Sequence, residues 1–440
     1  MTSAPPASRP TTPARGGSRG GLTAFATLML FTLFAGDFWR NLISWPGYFV
    51  LAAALATTSV VLLVRIRPPF LWRRAPRMLV AFLVYATLSI AWSFYPGASA
   101  LGVLAQWVTT AGAVFLALCL DWDQLLRSLA NAFRWILALS LLFEFVVAAV
   151  IRRPVIPLWV DYGSGRLPQP FYWSRGLLFH GGQAQGIQGN SNLLAMVALL
   201  SLIVFGIQLA EKTVRRGTAI AWLVVAALCL ALTRSSTIIV AGLFTVVVLA
   251  FALWMRRVAA DRRRPVYLTA AALVVVVGGL GIVFASRIPL LLGKSQDFTG
   301  RLTIWKQVIA LAQERPVFGW GWVSYWAPWV KPFKGLAERS GVVYLQAHNA
   351  WLDVWMQLGI VGLIIFILLV LSTLKRSWFQ AIDRPRFRAE GPEPYTALTL
   401  LPLLLIAALI AQSFAESRML IEAGWALLVV LSVKTKQSAP

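Results

Sequence analysis

Long apolar runs separated by short charged segments dominate this sequence. Twelve runs approach or exceed the roughly 20 residues that an α-helix needs to cross a bilayer. The runs are continuously apolar and do not alternate at every second position, so they predict helices and not the strands of a barrel. The fold class is therefore predicted to be an all-α integral membrane protein with about twelve transmembrane helices. The predicted spans are 22–38, 45–64, 78–95, 99–120, 134–151, 191–210, 218–233, 236–255, 266–284, 350–374, 395–414 and 419–433.

The runs also define the domain organisation. Residues 1–20 are rich in Pro, Ser, Thr, Gly and Arg, and they hold too few large apolar side chains to offset the entropy cost of ordering. We expect a disordered cytoplasmic tail there, one polytopic membrane domain over 21–434, and a short cytoplasmic tail over 435–440. Two long polar stretches, 152–190 and 285–349, are predicted to be extracytoplasmic loops.

Composition and charge agree with a membrane protein. Of the 440 residues, 59% are hydrophobic and only 13% are charged, which excludes an ordinary soluble domain. A net charge of +24 would suggest nucleic-acid binding in a soluble protein, but here the cations lie between the apolar runs. Twenty-five of the 40 Lys and Arg residues fall in segments on the same side as the N-terminal tail, and the short segments decide orientation. Both termini are therefore predicted to be cytoplasmic, and no nucleic acid is expected as a partner.

The sequence predicts neither a disulfide framework nor a metal site. Cys119 and Cys229 are the two cysteines, and both lie inside apolar runs. The acids on the predicted outer side are scattered, without an Asp-x-Asp cluster that would hold a hard metal ion. They include Asp161, Asp297, Glu314 and Glu338.

Arginine is abundant in the two outer loops, where the positive-inside rule gives no reason for it. An anionic partner explains this excess. Arg234 is the sharpest case, because it interrupts an almost continuous apolar stretch between two spans, where a guanidinium is costly. A bundle-facing partner would explain Arg234, and so would a snorkelling or loop-capping role. The loop arginines are Arg152, Arg153, Arg166, Arg175, Arg287, Arg301, Arg315 and Arg339.

The loop 285–349 contains a predicted amphipathic helix that starts near Gly300 and stops at Pro316. Its apolar face comprises Ile304, Trp305, Val308, Ile309 and Ala312. The segment that follows is rich in Gly and aromatic residues. Interfacial belting explains such aromatics, and flat surfaces for stacking sugars are the alternative. The aromatics are Trp320, Trp322, Tyr325, Trp326 and Trp329.

Two histidines occur, His180 and His348. His180 lies in a Gly- and Gln-rich loop without a nearby acid, and we interpret it as incidental. His348 lies at the entry of a span, beside the arginine-rich loop, where an imidazole can accept or pass a proton near neutral pH. A catalytic or ligand-contacting role and a helix-capping role both fit this position.

Four segments, in order, resemble a known superfamily: the bacterial O-antigen ligases, O-antigen polymerases and exopolysaccharide polymerases. The third and fourth segments are specific in combination, whereas the first two are weak alone. Where the family pattern has Ser-Arg-Gly or Ser-Arg-Ala, this chain has Arg234 followed by two serines. The segments are GIQGNSNLLA (186–195), LTRSSTIIVA (232–241), TGRLTIWKQVIALAQERPVFGWGW (299–322) and AHNAWLDVWMQLGIVG (347–362).

The resemblance implies a GT-C-like membrane glycosyltransferase in the bacterial cytoplasmic (inner) membrane, with an extracytoplasmic active site. It implies a polyprenyl-diphosphate-linked glycan donor and a saccharide acceptor, with a flippase and a chain-length regulator as candidate partners. Fixed cations would stabilise the diphosphate leaving group without a metal or other cofactor, and a single displacement would invert the anomeric carbon.

The resemblance also gives the candidate residues their roles. We assign Arg234 and Arg301 to the donor diphosphate, and His348 to the acceptor hydroxyl as general base or orienting group. Five further residues are candidates for substrate binding, although Asn349 could equally cap a helix. These five are Arg175, Arg339, Arg418, Asn349 and Trp305.

Other functions remain open at the level of sequence. A ligase that attaches the glycan to a lipid A core or another terminal acceptor shares the donor chemistry of a polymerase. A transporter or flippase of lipid-linked sugar would also have about twelve spans and cavity arginines. Its typical internal repeats and broken helices in matching halves are not evident here.

Overall fold

A computed structural model describes residues 16–160, 167–272, 300–339, 342–383 and 395–437. These residues form an almost entirely helical structure, which confirms the predicted all-α class. The α-helices, numbered in chain order, are α1 (Gly16–Phe34), α2 (Gly36–Ile66), α3 (Arg77–Leu88), α4 (Pro96–Cys119), α5 (Trp122–Val146), α6 (Ser191–Ala210), α7 (Arg216–Thr233), α8 (Ser236–Met255), α9 (Arg301–Glu314), α10 (Ala350–Ile382), α11 (Leu401–Ser413) and α12 (Glu422–Gln437).

Shorter elements connect these helices. Strands β1 (Glu338–Arg339) and β2 (Val342–Val343) form an antiparallel pair in which Glu338 faces Val343. A π-helical turn, Val147–Ile151, extends α5. The 3₁₀ turns are Trp72–Arg74, Ser89–Trp92, Gln169–Phe171, Leu178–His180, Gly186–Gln188, Ala260–Arg262, Leu398–Leu400 and Ser417–Leu420.

Seven described helices are long and apolar enough to cross a membrane. They begin at Gly36, Pro96, Trp122, Ser191, Arg216, Ser236 and Ala350, and three shorter apolar helices accompany them. The chain is therefore a multi-pass membrane protein. The predicted span 266–284 continues beyond residue 272 into residues that the structure does not describe. Likewise, α1 already begins at Gly16, within the predicted tail, and α12 continues to Gln437.

Helices α6, α11 and α12 form the centre of the bundle. Their side chains are mostly buried, whereas α2, α7 and α8 expose most of theirs. Exposed Val and Leu side chains on those outer helices suit contact with lipid and not with water. The main core includes Phe205 on α6, Trp425 on α12 and, from the outer helix α7, Ala226.

Helix α10 is bent at Gly359, whose φ of 67° favours glycine. A Cβ at this position would collide with the carbonyl of Val317. The segment after α9 uses this bend: the N–H of Gly321 donates to the carbonyl of Gln357 at 2.8 Å, and that of Ile360 donates to Pro316 at 2.8 Å. The Gly-rich segment is thereby fixed against α10.

Two of the five aromatic side chains of this segment, Trp322 and Trp326, are buried and so form neither an interfacial belt nor a surface for sugars. Trp322 packs edge-on against Phe82, with ring centroids 5.5 Å apart. Trp326 stacks on Phe333, whereas Trp329 stays exposed. These buried rings therefore anchor the loop to the bundle.

Five elements meet at one end of the bundle. They are the first turns of α6, α9 and α10, the α7–α8 turn and the loop between α11 and α12. The α8–α9 connection is largely outside the described residues, but α9 itself is placed by its buried face of Ile304, Val308, Leu311 and Ala312. This end of the bundle collects the polar side chains described next.

Candidate functional site

A buried carboxylate, Glu416, lies at the centre of a polar cluster between α11 and α12. Arg301 donates from Nη2 to Glu416 Oε1 at 2.8 Å. His348 Nδ1 lies 2.8 Å from Glu416 Oε2. The amides of Asn192 and Gln346 also donate to this carboxylate, each at 3.3 Å. We call these five residues the Glu416 cluster.

Helix ends place the members of the cluster. Arg301 is the first residue of α9 and follows Gly300, which has a φ of 88°. Asn349 caps α10 by accepting from the N–H groups of Trp351 and Leu352, so His348 stands just before the helix. The φ of His348 is 51°, an unusual value for a residue other than glycine. The packed loop ends hold this imidazole in place.

Asp353 forms hydrogen bonds with the loop ends that carry the Glu416 cluster. Its carboxylate accepts from the N–H of Ala347 at 2.9 Å and from Trp326 Nε1 at 2.7 Å. The Ser417 hydroxyl also donates to Asp353. Asp353 therefore joins the backbone next to His348 to the loop that carries Glu416. These hydrogen bonds fix the separation of His348 and Glu416.

The charge of Glu416 follows from its neighbours. Burial raises the pKa of Glu416, but the opposing effects of His348, Arg301 and Arg418 outweigh it and lower the pKa to about 2. An ionised carboxylate accepts hydrogen bonds and cannot donate them. The hydrogen bond to His348 therefore requires the proton on Nδ1, which leaves Nε2 of a neutral imidazole able to accept a proton.

Arg234 lies beside the cluster at the α7–α8 turn. It ends α7 with a φ of 49°, and its side chain is exposed. Among the residues that the structure describes, no ion pair or hydrogen bond occupies its guanidinium, which lies next to Gly181. The following residue, Ser235, donates to Asn192 Oδ1 at 2.8 Å and thereby connects the turn to the Glu416 cluster. Arg234 is thus a cation available to a ligand.

Arg418 belongs to a second, neighbouring ionic cluster. Its Nη1 donates to the Tyr325 hydroxyl at 2.7 Å and to Glu422 at 3.1 Å. Arg40 pairs with Glu422 and with Asp37, both at 2.5 Å. Arg418 is therefore already paired within the protein, and its charge also acts on Glu416.

The other predicted binding residues are more widely placed. Trp305 donates from Nε1 to the carbonyl of Ala347 at 3.0 Å and so supports the backbone before His348. Asn349 caps α10, which is one of the two roles predicted for it from the sequence. Arg175 donates to Gln169 in the loop after α5. Arg339 is in β1, and its side chain lies outside the described part of the structure.

Sequence reasoning missed Glu416, Asn192 and Gln346. Glu416 occupies the short connection between two apolar runs, in the segment FAESRM, and this isolated acid is the signal that could have found it. The loop after α5 is likewise held by an acid inside a helix: Glu144 accepts from the N–H groups of Gln185 and Gly186, each at 2.8 Å. An ionisable residue inside a membrane segment favours such an internal partner.

Within the described ranges, no group of three or more His, Cys, Asp or Glu side chains is placed to hold a metal ion. Arg301, His348 and Arg234 supply the positive charge and the titratable nitrogen at this end of the bundle. The arrangement can therefore bind an anion and accept a proton.

Fold and site together define a helical, multi-pass membrane protein with a buried His–Glu–Arg cluster at one end of its bundle. Residues 219–367, about a third of the chain, match a family model described as O-antigen ligase. This match confirms the resemblance seen in the motifs. It indicates a membrane glycosyltransferase of the O-antigen ligase or polymerase type. A comparison with curated proteins finds no match.

Proposed function

We propose that the protein transfers or polymerises an oligosaccharide carried on polyprenyl diphosphate, on the outer face of the cytoplasmic membrane, for surface polysaccharide assembly. The observation that carries this proposal is the hydrogen bond that His348 Nδ1 donates to Glu416, in a cluster that also contains Arg301. It combines a base with cations, the two requirements for displacing a diphosphate with a sugar hydroxyl.

His348 acts as the general base in this proposal. The acceptor hydroxyl oxygen attacks the anomeric carbon, its proton passes to His348 Nε2, and the bond from the anomeric carbon to the diphosphate oxygen breaks. Glu416 holds the Nδ1–H tautomer and stabilises the imidazolium that forms. A single displacement of this kind inverts the anomeric configuration.

The two arginines stabilise the departing diphosphate. Arg234 is exposed, and no partner among the described residues neutralises it, so it suits the first contact with the donor. Arg301 is buried, with Nη2 on Glu416 and Nη1 within 3.3 Å of Thr237 Oγ1. Its positive charge compensates the negative charge of Glu416 and also attracts the donor diphosphate. Fixed cations can perform this task without a metal ion.

In the same scheme, the other candidate residues bind the substrates or position the catalytic groups. Arg175 and Arg339 lie on the loops expected at the outer face, and Arg418 adds positive charge behind Glu416. Trp305 and Asn349 hold the backbone on either side of His348, so we infer that they position the base for the acceptor. A flippase would deliver the lipid-linked donor before this step, and a chain-length regulator would act together with it.

The test is a transfer assay with purified protein reconstituted with lipid-linked donor and acceptor. We expect His348→Ala to bind donor like the unchanged protein but to transfer glycan roughly 10²–10⁴ times more slowly, the usual contribution of a general base. His180→Ala is the matched control, because His180 is exposed in a different loop. Unchanged transfer by His348→Ala would contradict the proposal. Donor translocation without any glycan transfer would indicate a transporter instead.

A further inference from the structure

A basic cavity lies at the end of the bundle opposite the Glu416 cluster. Its volume is about 280 Å³, and it is formed by the α2–α3 connection, the second half of α10 and the last turns of α12. Arg376 lies 26 positions after Ala350, which corresponds to roughly 39 Å along a helix at 1.5 Å per residue. The cavity is thus separate from the proposed active site. Its polar lining consists of Arg73, Arg77, Arg376, Lys436, Ser372 and Ser432.

The cations of this cavity have no acidic counterpart. Among the residues that the structure describes, no Asp or Glu lines the cavity, and no ion pair involves its four cations. Four like charges around one small space repel each other, so an anion that enters it removes an unfavourable interaction. The Ser432 hydroxyl accepts from Arg376 Nη2 at 3.4 Å and keeps its proton to donate to a phosphate oxygen, whereas Ser372 donates to the carbonyl of Leu369 at 3.0 Å.

Local hydrogen bonds preorganise the cavity. Arg376 donates from Nε to Thr435 Oγ1 at 3.2 Å and from Nη2 to the carbonyl of Ser432 at 3.3 Å. In the described part of the chain, no hydrogen bond uses its Nη1. Gln437 accepts from the N–H of Leu71 at 3.0 Å and donates to the carbonyl of Arg74 at 3.0 Å. These bonds fasten the turn that carries Arg73 to the end of α12.

The surroundings of the cavity indicate lipid. Trp72, next to Arg73, is 83% exposed, and Leu371, next to Ser372, is 52% exposed. Exposed Trp at the end of apolar helices is typical of the membrane–water interface. A volume of about 280 Å³ is close to the lower limit of roughly 300 Å³ for small-molecule sites, which suits a headgroup whose acyl chains remain outside.

We propose that this cavity binds the phosphate group of an anionic membrane lipid. Arg376 provides the fixed cation, Arg73, Arg77 and Lys436 surround the phosphate, and the acyl chains extend along the apolar surface near Leu371. Basic pockets between membrane helices recognise anionic headgroups in this way. With the termini on the cytoplasmic side, the lipid would belong to the inner leaflet, away from the proposed glycan chemistry.

The experiment measures lipid binding to the purified full chain in phosphatidylcholine nanodiscs that contain increasing amounts of phosphatidylglycerol. Native mass spectrometry counts the bound phosphatidylglycerol. For the unchanged protein we expect selective retention of this lipid. In the double variant Arg73→Gln/Lys436→Gln we expect affinity for it to fall about tenfold or more, given two lost headgroup contacts.

The control is Arg65→Gln/Lys375→Gln, which removes two exposed charges near the same end without touching the cavity lining. It should retain the lipid. Equal loss in both double variants would overturn the site, because general surface charge would then explain binding. Lys436→Gln alone, checked by gel filtration, gives the same test if the double variant does not fold. Inorganic phosphate that stabilises the protein as strongly as phosphatidylglycerol would overturn the assignment to a lipid.

Discussion

Glu416 and His348 are joined by a 2.8 Å contact between a carboxylate oxygen and Nδ1, although 68 positions separate them in the sequence. Because Arg301 donates to the other oxygen of the same carboxylate, one buried acid contacts both an imidazole and a guanidinium. In the proposed mechanism Glu416 is a positioning residue, since it would act on the reaction through His348 and Arg301.

Glu416→Gln is the direct test of this role. The amide keeps the shape of the side chain but loses the charge that pairs with Arg301 and supports the imidazolium. We expect kcat for glycan transfer to fall by about 10²-fold or more, with little change in donor Kd, because the lost stabilisation arises during proton transfer. Glu416→Asp should retain a larger share of kcat, and Glu314→Gln, on the exposed end of α9, should have no effect. A parallel loss of donor binding and folding in Glu416→Gln would show a purely structural role.

Replacing Arg301 or Arg234 by lysine should slow glycan transfer, because lysine keeps the positive charge but lacks the planar guanidinium. Arg301→Lys and Arg234→Lys remove the fork that binds two phosphate oxygens, so each should cost on the order of 2–4 kcal/mol of transition-state stabilisation. Single-turnover transfer with saturating and limiting donor measures this cost. Arg153→Lys, an exposed arginine of the other loop, is the control and should keep full activity. If all three variants behave alike, the arginines do not contact the diphosphate.

Acid stability should depend on Glu416. Its pKa is depressed from 4.5 to about 2 in the folded protein, so the ionised carboxylate contributes stability above about pH 4.5. That contribution is lost as the pH falls from about 4.5 toward 2, where the folded protein also takes up the proton. We therefore expect the Tm difference between the unchanged protein and Glu416→Gln to shrink as the pH falls from about 4.5 toward 2. A difference that grows in acid would contradict this sign.

Transfer should continue in excess chelator. The proposed scheme stabilises the diphosphate with Arg234 and Arg301, so removing divalent ions leaves its charge balance intact. Initial rates of the reconstituted protein with and without chelator measure the dependence. Activity that disappears with chelator and returns with Mg²⁺ or Mn²⁺ would transfer the role of the arginines to a metal ion.

Orientation can be tested at the two ends of the bundle. Helix α8 runs from Ser236, beside the Glu416 cluster, to Met255, so residue 260 lies at the opposite end from the segment 320–340. Reporter fusions at residue 260 and within 320–340 should therefore report opposite sides of the membrane, with residue 260 cytoplasmic. Reporters on the same side would be incompatible with this arrangement.

Several features of this protein follow from sequence alone. Continuous apolar runs determined the helical membrane class, because a backbone in lipid must satisfy its own hydrogen bonds. The spacing of Ile304, Val308 and Ala312 determined the face that α9 buries. Asn349 before an apolar run determined where α10 begins, because its side chain caps the first free N–H groups. These are local properties, so neighbouring residues suffice to predict them.

The tertiary structure decided which polar residues meet. The position of Glu416 between two apolar runs marks it as a candidate, but its contacts with His348 and Arg301 arise only when α9, α10 and the α11–α12 loop converge on it. Likewise, Arg418 pairs with Glu422, four positions later, and also lies 3.8 Å from Asp37 at the start of α2, whereas Arg234 stays exposed at its turn. The sequence determines which side chains carry charge, but burial and distance determine which charges are paired, because electrostatic interaction depends on separation in space and on the exclusion of water.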